Sequence, residues 1–171
     1  MKFLYTKFYE TPLGKMVAFA NHDALLMLDF EDSKYADKHL EEISAQYGVI
    51  KKTGNKVLTL LEKELELYFE GKLTQFTVPV EFSGTEFQRK KVWQELLNIN
   101  FGEFRSYQAQ ADALKSPKSV RAVANANSRN KICLVVPCHR VIGKNLSLTG
   151  YAGGIERKAA LLKLEGIELK F

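Results

Sequence analysis

Hydrophobic positions follow two regimes along the chain. Residues 2–9, 15–21 and 24–31 are dense in aromatic, β-branched and aliphatic side chains. Pro12-Leu13-Gly14 and residues 21–23 punctuate them, the pattern of an antiparallel sheet joined by short turns. From 35 to 47 the apolar positions change to helical spacing (Leu40, Ile43, Tyr47). They do so again from 57 to 69 (Leu58, Leu61, Leu65, Tyr68), closed by Gly71. Residues 74–80 read as one more strand. His22 and His39 stand alone, and nothing in this half forms a chemical constellation.

A boundary falls at 81–85, beyond which the pattern is helical. Thr85 and Gln88 are spaced as a capping box ahead of a helix over 87–99, with Phe87, Trp93, Leu96 and Leu97 as its buried face. Ser106 is a preferred N-cap for a short helix reaching 114. Ser116-Pro117 predicts another from 117 to 127, since Ser favours the N-cap and Pro the first helical position. Two short helices and a tight turn make a helix-turn-helix. On the second, Val120, Val123, Ala124 and Asn127 form an inward stripe, while Arg121, Asn125 and Ser128 share an outward one. Three alanines keep that helix slim. An apolar run (132–136), a glycine-rich loop (149–154) and a last helix (156–164, closed by Gly166) complete the chain.

Composition adds class. With 171 residues, 46% of them hydrophobic, the chain is globular in character, and no apolar run reaches membrane-span length. The first residues alternate charge and aromatics without a signal-peptide core, so the expected location is the cytoplasm. Charge sharpens the picture. Residues 1–84 hold 10 basic and 13 acidic side chains, net −3, whereas 85–171 hold 15 and 7, net +8. Between Asp112 and Glu156 no acidic residue occurs, while Lys115, Lys118, Arg121, Arg129, Lys131, Arg140 and Lys144 all do. A contiguous field of one sign suits a polyanion, although a solvated basic face would read the same way.

The candidate chemistry follows the apolar run, at Pro137-Cys138-His139-Arg140. Neighbouring cations or a basic histidine make a cysteine a better thiolate. Adjacent side chains point different ways, so a water between Cys138 and His139 is as reasonable as a direct bond. His139 also needs an orienting carboxylate, for which Glu156 and Glu165 are nearest downstream. Taken alone, a Cys-His pair is weak evidence, and an inert buried cysteine is the default. Cys133, Cys138 and His139 lack zinc-site spacing.

Val136-Pro137-Cys138-His139-Arg140-Val141 resembles the active-site signature of the O6-alkylguanine-DNA alkyltransferases. Gly102-Glu103, Ser106-Tyr107, Arg121-Ala122-Val123, Asn130, Thr149-Gly150-Tyr151-Ala152-Gly153-Gly154 and Glu156-Arg157-Lys158 resemble further family blocks, in family order. The resemblance implies an α+β architecture. An RNase H-like α/β domain (1–84) would precede a mostly helical DNA-binding domain with a helix-turn-helix (85–171). It implies direct reversal of DNA damage: one irreversible transfer of the alkyl group from O6-alkylguanine, and from O4-alkylthymine, to Cys138. His139 would deprotonate Cys138 through a water, and Glu165 would orient His139. Tyr107 would protonate the departing guanine and help rotate the nucleotide. Arg121 would fill the gap left by the flipped base, entering from the minor groove, and Asn130 would tie the helix-turn-helix to the active-site turn. Asn125, Ser128 and Arg129 would meet the DNA beside it. Val141, Tyr151, Ala152 and Gly150 would wall the base pocket, with Ala152 offering its N–H to the guanine oxygen. The implied partner is double-stranded DNA carrying alkylated bases, met by a monomer, with clustering along the duplex left open. The alternative is a lesion-binding protein without catalysis, disfavoured by the presence of Cys138. Sequence-specific transcription factor and Cys-His peptidase readings leave either the cysteine or the basic helix unexplained.

This chain departs from the family pattern at three places. Lys131 stands where a proline often follows the hinge Asn130, giving a less rigid loop or an added phosphate contact. Cys133 is expected in the core. Asn145-Leu146 lacks a turn glycine. The metal sites of some relatives need cysteines in the N-terminal half, which has none here. No metal and no cofactor are therefore expected, and with no regulatory metal domain, no transcriptional activator role.

Overall fold

The computed structural model describes residues 3–51 and 54–169. It is an α+β chain that divides into two units, 1–83 and 84–171.

In the first unit, β1 (Phe3–Thr11), β2 (Gly14–Ala20) and β3 (Leu25–Phe30) form an antiparallel meander. The expected first strand began at Lys2, which lies outside the described residues. The β1–β2 turn is held by Thr11, whose hydroxyl accepts from Leu13 N (3.2 Å) and donates to Gly14 O (2.6 Å). Helix α1 (Ala36–Tyr47) follows. β4 (Val49–Lys51) then joins β1 in parallel, giving the order β3-β2-β1-β4. Three residues are too few for alternation to register, and sequence reading missed β4. α2 (Lys56–Phe69) is capped by Asn55, which accepts from Leu58 N. The core beneath α1 includes Leu4, Val17, Phe19, Leu26, Met27 and Ile43.

The expected strand at 74–80 shrinks to one bridge, Leu25 with Val80. The reason is that its backbone donors are diverted. The buried Glu64 carboxylate accepts from Thr77 N, Thr77 Oγ1 and Val78 N, and Pro79 has no N–H to give. The bridge still covers the outer edge of β3, through Leu25 N to Pro79 O and Glu81 N to Leu25 O.

In the second unit the capping box forms, with Thr85 N donating to Gln88 Oε1 and Gln88 N to Thr85 Oγ1. The helix beyond it is π-wound over Phe87–Val92 before α3 (Trp93–Leu96). Wider winding rotates the faces. Val92, Trp93, Leu96 and Ile99 are buried, while Leu97, expected inside, is exposed and Phe87 only half-buried. β5 (Arg105–Ser106) leads into α4 (Tyr107–Ala113), whose N-cap Ser106 accepts from Ala109 N. α5 (Val120–Ser128) starts three residues later than Pro117 suggested. Pro117 instead occupies the second position of a turn closed by Ser119 N to Ser116 O. Trp93 Nε1 donates to Ala126 O (2.9 Å), and the amides of Gln110 and Asn127 bond reciprocally (3.0 and 2.6 Å), fixing α5 against α3 and α4. After the 132–136 run come a 3-10 turn (Cys138–Arg140), β6 (Val141–Ile142), a second 3-10 turn (Lys144–Leu146) and α6 (Ile155–Leu164). Leu146 takes a left-handed φ of 61°, the strained place of the missing turn glycine.

Candidate active site

The apolar run at 132–136 forms neither strand nor helix, yet all of it is buried. Asn130 makes this tolerable. Its Oδ1 accepts from Ile132 N (3.0 Å) and its Nδ2 donates to Val136 O (2.8 Å), so one buried amide cinches both ends of the run. The run delivers Cys138 onto a 3-10 turn. Immediately afterwards β6 pairs in parallel with β5, Val141 against Arg105 and Ile142 against Ser106. This pairing sets the first helix of the helix-turn-helix beside the cysteine turn.

His139 is fully buried, and its Nε2 lies 2.7 Å from Glu165 Oε2. Burial, reinforced by the charges of Arg140 and Lys158, outweighs Glu165 and lowers the histidine pKa from its ordinary value. The ring is therefore neutral at pH 7. A neutral ring facing a carboxylate donates from Nε2, which leaves Nδ1 with a lone pair. That Nδ1 is buried and has no hydrogen-bond partner among the described residues. Burial would raise the Glu165 pKa, but bonds and charge from His139 and Arg140 prevail and bring it down to about 2. Arg140 grips the same carboxylate with Nε (2.6 Å) and Nη2 (3.1 Å), and its Nη1 donates to Ile99 O (2.6 Å). The sequence presents Arg140 as a cation beside Cys138. Its built role is to clamp Glu165.

Tyr107 opens α4 with its hydroxyl 3.1 Å from Thr149 O. Burial, then the Cys138 charge, push its pKa up to about 12, so it keeps its proton. Gly150 is required beside it, because a Cβ there would lie 3.3 Å from the Tyr107 hydroxyl on a backbone with φ of 67°. Lys158 on α6 lies in one of the family blocks, and the resemblance implies no task for it. It is fully buried, with Nζ donating to Thr149 O (2.8 Å) and lying 3.4 Å from the Tyr107 hydroxyl. Burial lowers its pKa to about 8 against the opposing pull of Cys138. A signal existed in the sequence: Lys158 falls on the same helical stripe as Leu161 and Leu162, the buried face of the last helix.

His139 and Glu165 are thus bonded to each other, Asn130 is tied to Val136 two residues before Cys138, Val141 is paired with Arg105 of β5, and Tyr107 is held to Thr149. Tyr151 and Ala152 are half-buried in the loop that supplies Thr149 and Gly150. The remaining expected residues lie on or next to α5. Arg121 and Asn125 are exposed, and Ser128 is half-buried, bonding back to Asn125 O. Arg129 is half-buried at the C-cap. Lys131 corrects its expectation of a phosphate contact, because it is buried with Nζ 5.7 Å from the centroid of the Trp93 ring. Cys133 is buried, as expected of core. Among the described residues no three His, Cys, Asp or Glu side chains converge on a metal position, and no helix is long and apolar enough to cross a membrane.

Residues 86–167 match the family described as 6-O-methylguanine DNA methyltransferase, DNA binding domain, and residues 4–82 its ribonuclease-like domain. The constitutive methylated-DNA–protein-cysteine methyltransferase of Bacillus subtilis is 44% identical over 162 residues, covering 94% of each chain. Its namesake from Methanosarcina barkeri is 40% identical over 167 residues, covering 98% of this chain and all of the relative. The crystal structure of Mycobacterium tuberculosis OGT in complex with DNA superimposes with a TM-score of 0.80 at 36% identity, covering 94% of this chain and 92% of that one. Signature, architecture and full-length similarity agree: the chain belongs to the 6-O-methylguanine DNA methyltransferase family.

Proposed function

We propose that the protein repairs alkylated duplex DNA by moving the alkyl group of O6-alkylguanine onto Cys138, once per molecule. The observation that carries this reading is the buried relay behind the cysteine, in which Arg140 holds Glu165, Glu165 holds His139, and His139 turns its open Nδ1 to the interior. Nδ1 draws the thiol proton through a water, and Sγ attacks the alkyl carbon. The S–C bond forms as the C–O6 bond breaks, and the bond's electron pair leaves with the guanine. Tyr107, still protonated, gives its hydrogen to the guanine, and the proton on His139 restores it. The balance is thiol plus alkylguanine going to thioether plus guanine. No group here displaces a thioether, so the protein is consumed. With labelled O6-methylguanine oligonucleotide in excess, label transfer should plateau at one equivalent per protein. Continued turnover, or none, would contradict the reading.

The target atom lies inside a base pair and must be turned out. Exposed Arg121, on the slim α5, fills the vacated stack, and the basic surface holds phosphates. Arg121→Ala should slow repair of duplex DNA by about 10²-fold, the scale of a base step left unstacked. Reaction with free O6-benzylguanine, followed in the same stopped assay, should change less than about threefold. Equal losses on both substrates would remove the finger role. In this reading 85–171 is the repair domain and 1–84 a structural domain with no part in the chemistry, Asn125, Ser128 and Arg129 flank the finger, and Val141, Tyr151, Ala152 and Gly150 enclose the flipped base.

Lys158 positions Tyr107 and supplies positive charge to the thiolate. It loses that charge above about pH 8. The rate of transfer to free O6-benzylguanine should therefore climb with pH and turn down near 8. Lys158→Met should remove the downturn and lower the rate at pH 7 by about tenfold, equivalent to ~1.4 kcal/mol of lost charge stabilisation. A downturn retained in the variant would assign it to another group.

A further inference from the structure

Leu146 bears two costs at once. Its backbone takes a φ of 61°, a conformation that crowds the Cβ of any residue but glycine, and its side chain is 51% exposed. The 3-10 turn that holds it is closed by Gly143 N donating to Ser147 O (2.8 Å) and Ser147 N to Lys144 O (3.1 Å). The turn is also rooted. Ile142 before it and Leu148 after it are buried in one cluster with Leu162 of α6. Gly143 admits no side chain, because a Cβ there would lie 2.6 Å from Ser147 Oγ and 3.0 Å from Thr149 Oγ1. Leu146 therefore stands outside on a fixed support, and core packing does not account for it. Strain kept beside a functional loop points to a contact made by the strained residue.

The support is continuous with the candidate site. β6 runs directly from the Cys138–Arg140 turn, and Thr149, three residues beyond Leu146, accepts from the Tyr107 hydroxyl and from Lys158 Nζ. Three residues span at most about 11 Å, and successive nucleotides of a duplex strand rise about 3.4 Å. The turn thus lies within about three nucleotides of a base drawn into the pocket. Lys144, Leu146, Ser147, Thr149 and Gly150 are all exposed, so the turn and the pocket rim make one surface. On that surface Lys144 supplies a cation and Leu146 an apolar wedge. Proteins that deform the minor groove combine these two groups: the cation holds a phosphate, and the wedge takes the place of lost stacking.

We propose that Leu146 is a second DNA-remodelling residue, resting on the unstacked face of the nucleotide beside the flipped base while Lys144 holds the adjoining phosphate. This rests on the repair reading and deepens it: Arg121 fills the vacated position, and Leu146 keeps the neighbouring base from collapsing into it.

The test compares Leu146→Gly with the unaltered full chain. Repair of O6-methylguanine in duplex DNA should slow about tenfold, and reaction with free O6-benzylguanine less than about threefold. Glycine adopts a φ of 61° without strain, so thermal stability should hold or rise. Lys144→Ala should weaken duplex affinity and flatten its salt dependence. A 2-aminopurine placed on either side of the lesion reads the contact without chemistry, in a Cys138→Ser background that leaves the lesion in place. Binding should brighten the probe on at least one flank, as unstacking does, and Leu146→Gly should cut that rise about threefold. An unchanged duplex rate, equal losses on the two substrates, a fall in thermal stability or an unchanged 2-aminopurine signal would each overturn the proposal. Absence of transfer by the unaltered chain would instead overturn the repair reading, and the 2-aminopurine signal would still decide for or against the wedge.

Discussion

Cys138→Ser is expected to lose alkyl transfer by on the order of 10⁴-fold or more, the scale on which removal of an attacking group registers. Serine is nearly the size of cysteine, and Cys138 is almost fully buried, so the fold and the DNA surface on α5 should persist. The loss is chemical. A hydroxyl surrenders its proton far less readily than a thiol, and a neutral imidazole backed by Glu165 is too weak a base to compensate. Duplex affinity, measured by anisotropy at fixed salt, should therefore stay within about twofold of the unaltered protein. Cys133→Ser provides the internal comparison. That side chain is buried in the cinched run and has no part in the relay, so transfer should survive. If Cys133→Ser abolished transfer and Cys138→Ser did not, the site would have been read on the wrong cysteine.

The second large effect concerns stability. Glu165→Ala removes the carboxylate shared by His139 and Arg140, both buried. A buried guanidinium left without its partner costs about 3–5 kcal/mol. The expectation is a fall of that size in unfolding free energy by urea titration, with transfer lost in parallel because His139 is no longer oriented. Glu165→Gln keeps the shape and should lie between. The pH dependence follows from the same groups. The Glu165 pKa is depressed in the folded state to about 2, so its stabilisation is complete above the ordinary carboxylate value and drains away as pH falls towards 2. The His139 pKa is also lowered. Below its ordinary value of 6.5 the unfolded chain takes up the proton first, so acidification weakens the fold through this group as well. Stability should thus fall in two stages from pH 6.5 downward, and Glu165→Ala should flatten the lower stage. An unchanged acid profile in the variant would show that the relay does not couple to folding.

These effects show what a linear sequence can carry. Pro137-Cys138-His139-Arg140 was legible because its residue types are fixed by chemistry rather than by packing. The capping residues Thr85 and Ser106 were legible because each cap is satisfied within three residues. What failed depended on hydrogen bonding that residue spacing does not encode. The π-winding of Phe87–Val92 turned Leu97 outward, a change of hydrogen-bond register that residue spacing does not encode. The strand expected at 74–80 lost its donors to Glu64, a residue one helix earlier. Pro117 opened a turn rather than a helix because Ser116 and Ser119 close upon each other. Within the site, the orienting carboxylate was narrowed to Glu156 or Glu165 by proximity, and the family resemblance chose Glu165. Only the fold shows Arg140 reaching the same carboxylate. Lys131 and Lys158 carry the most general lesson. Both count towards the basic field in sequence, yet both are buried, one on Trp93 and one against Tyr107 and Thr149. The positive charge of residues 85–171 is therefore divided between a surface suited to phosphates and an interior that tunes the site.

The central claim is that the alkyl group leaves the DNA and comes to rest on Cys138. It is tested most directly by reacting the protein to completion with duplex DNA containing O6-methylguanine and mapping the added mass on its peptides. The account predicts one methyl group, on the sulfur of Cys138, with Cys133 unmodified and the base returned to guanine. A methyl group on Cys133, or a repaired base with no mass gained by the protein, would contradict it.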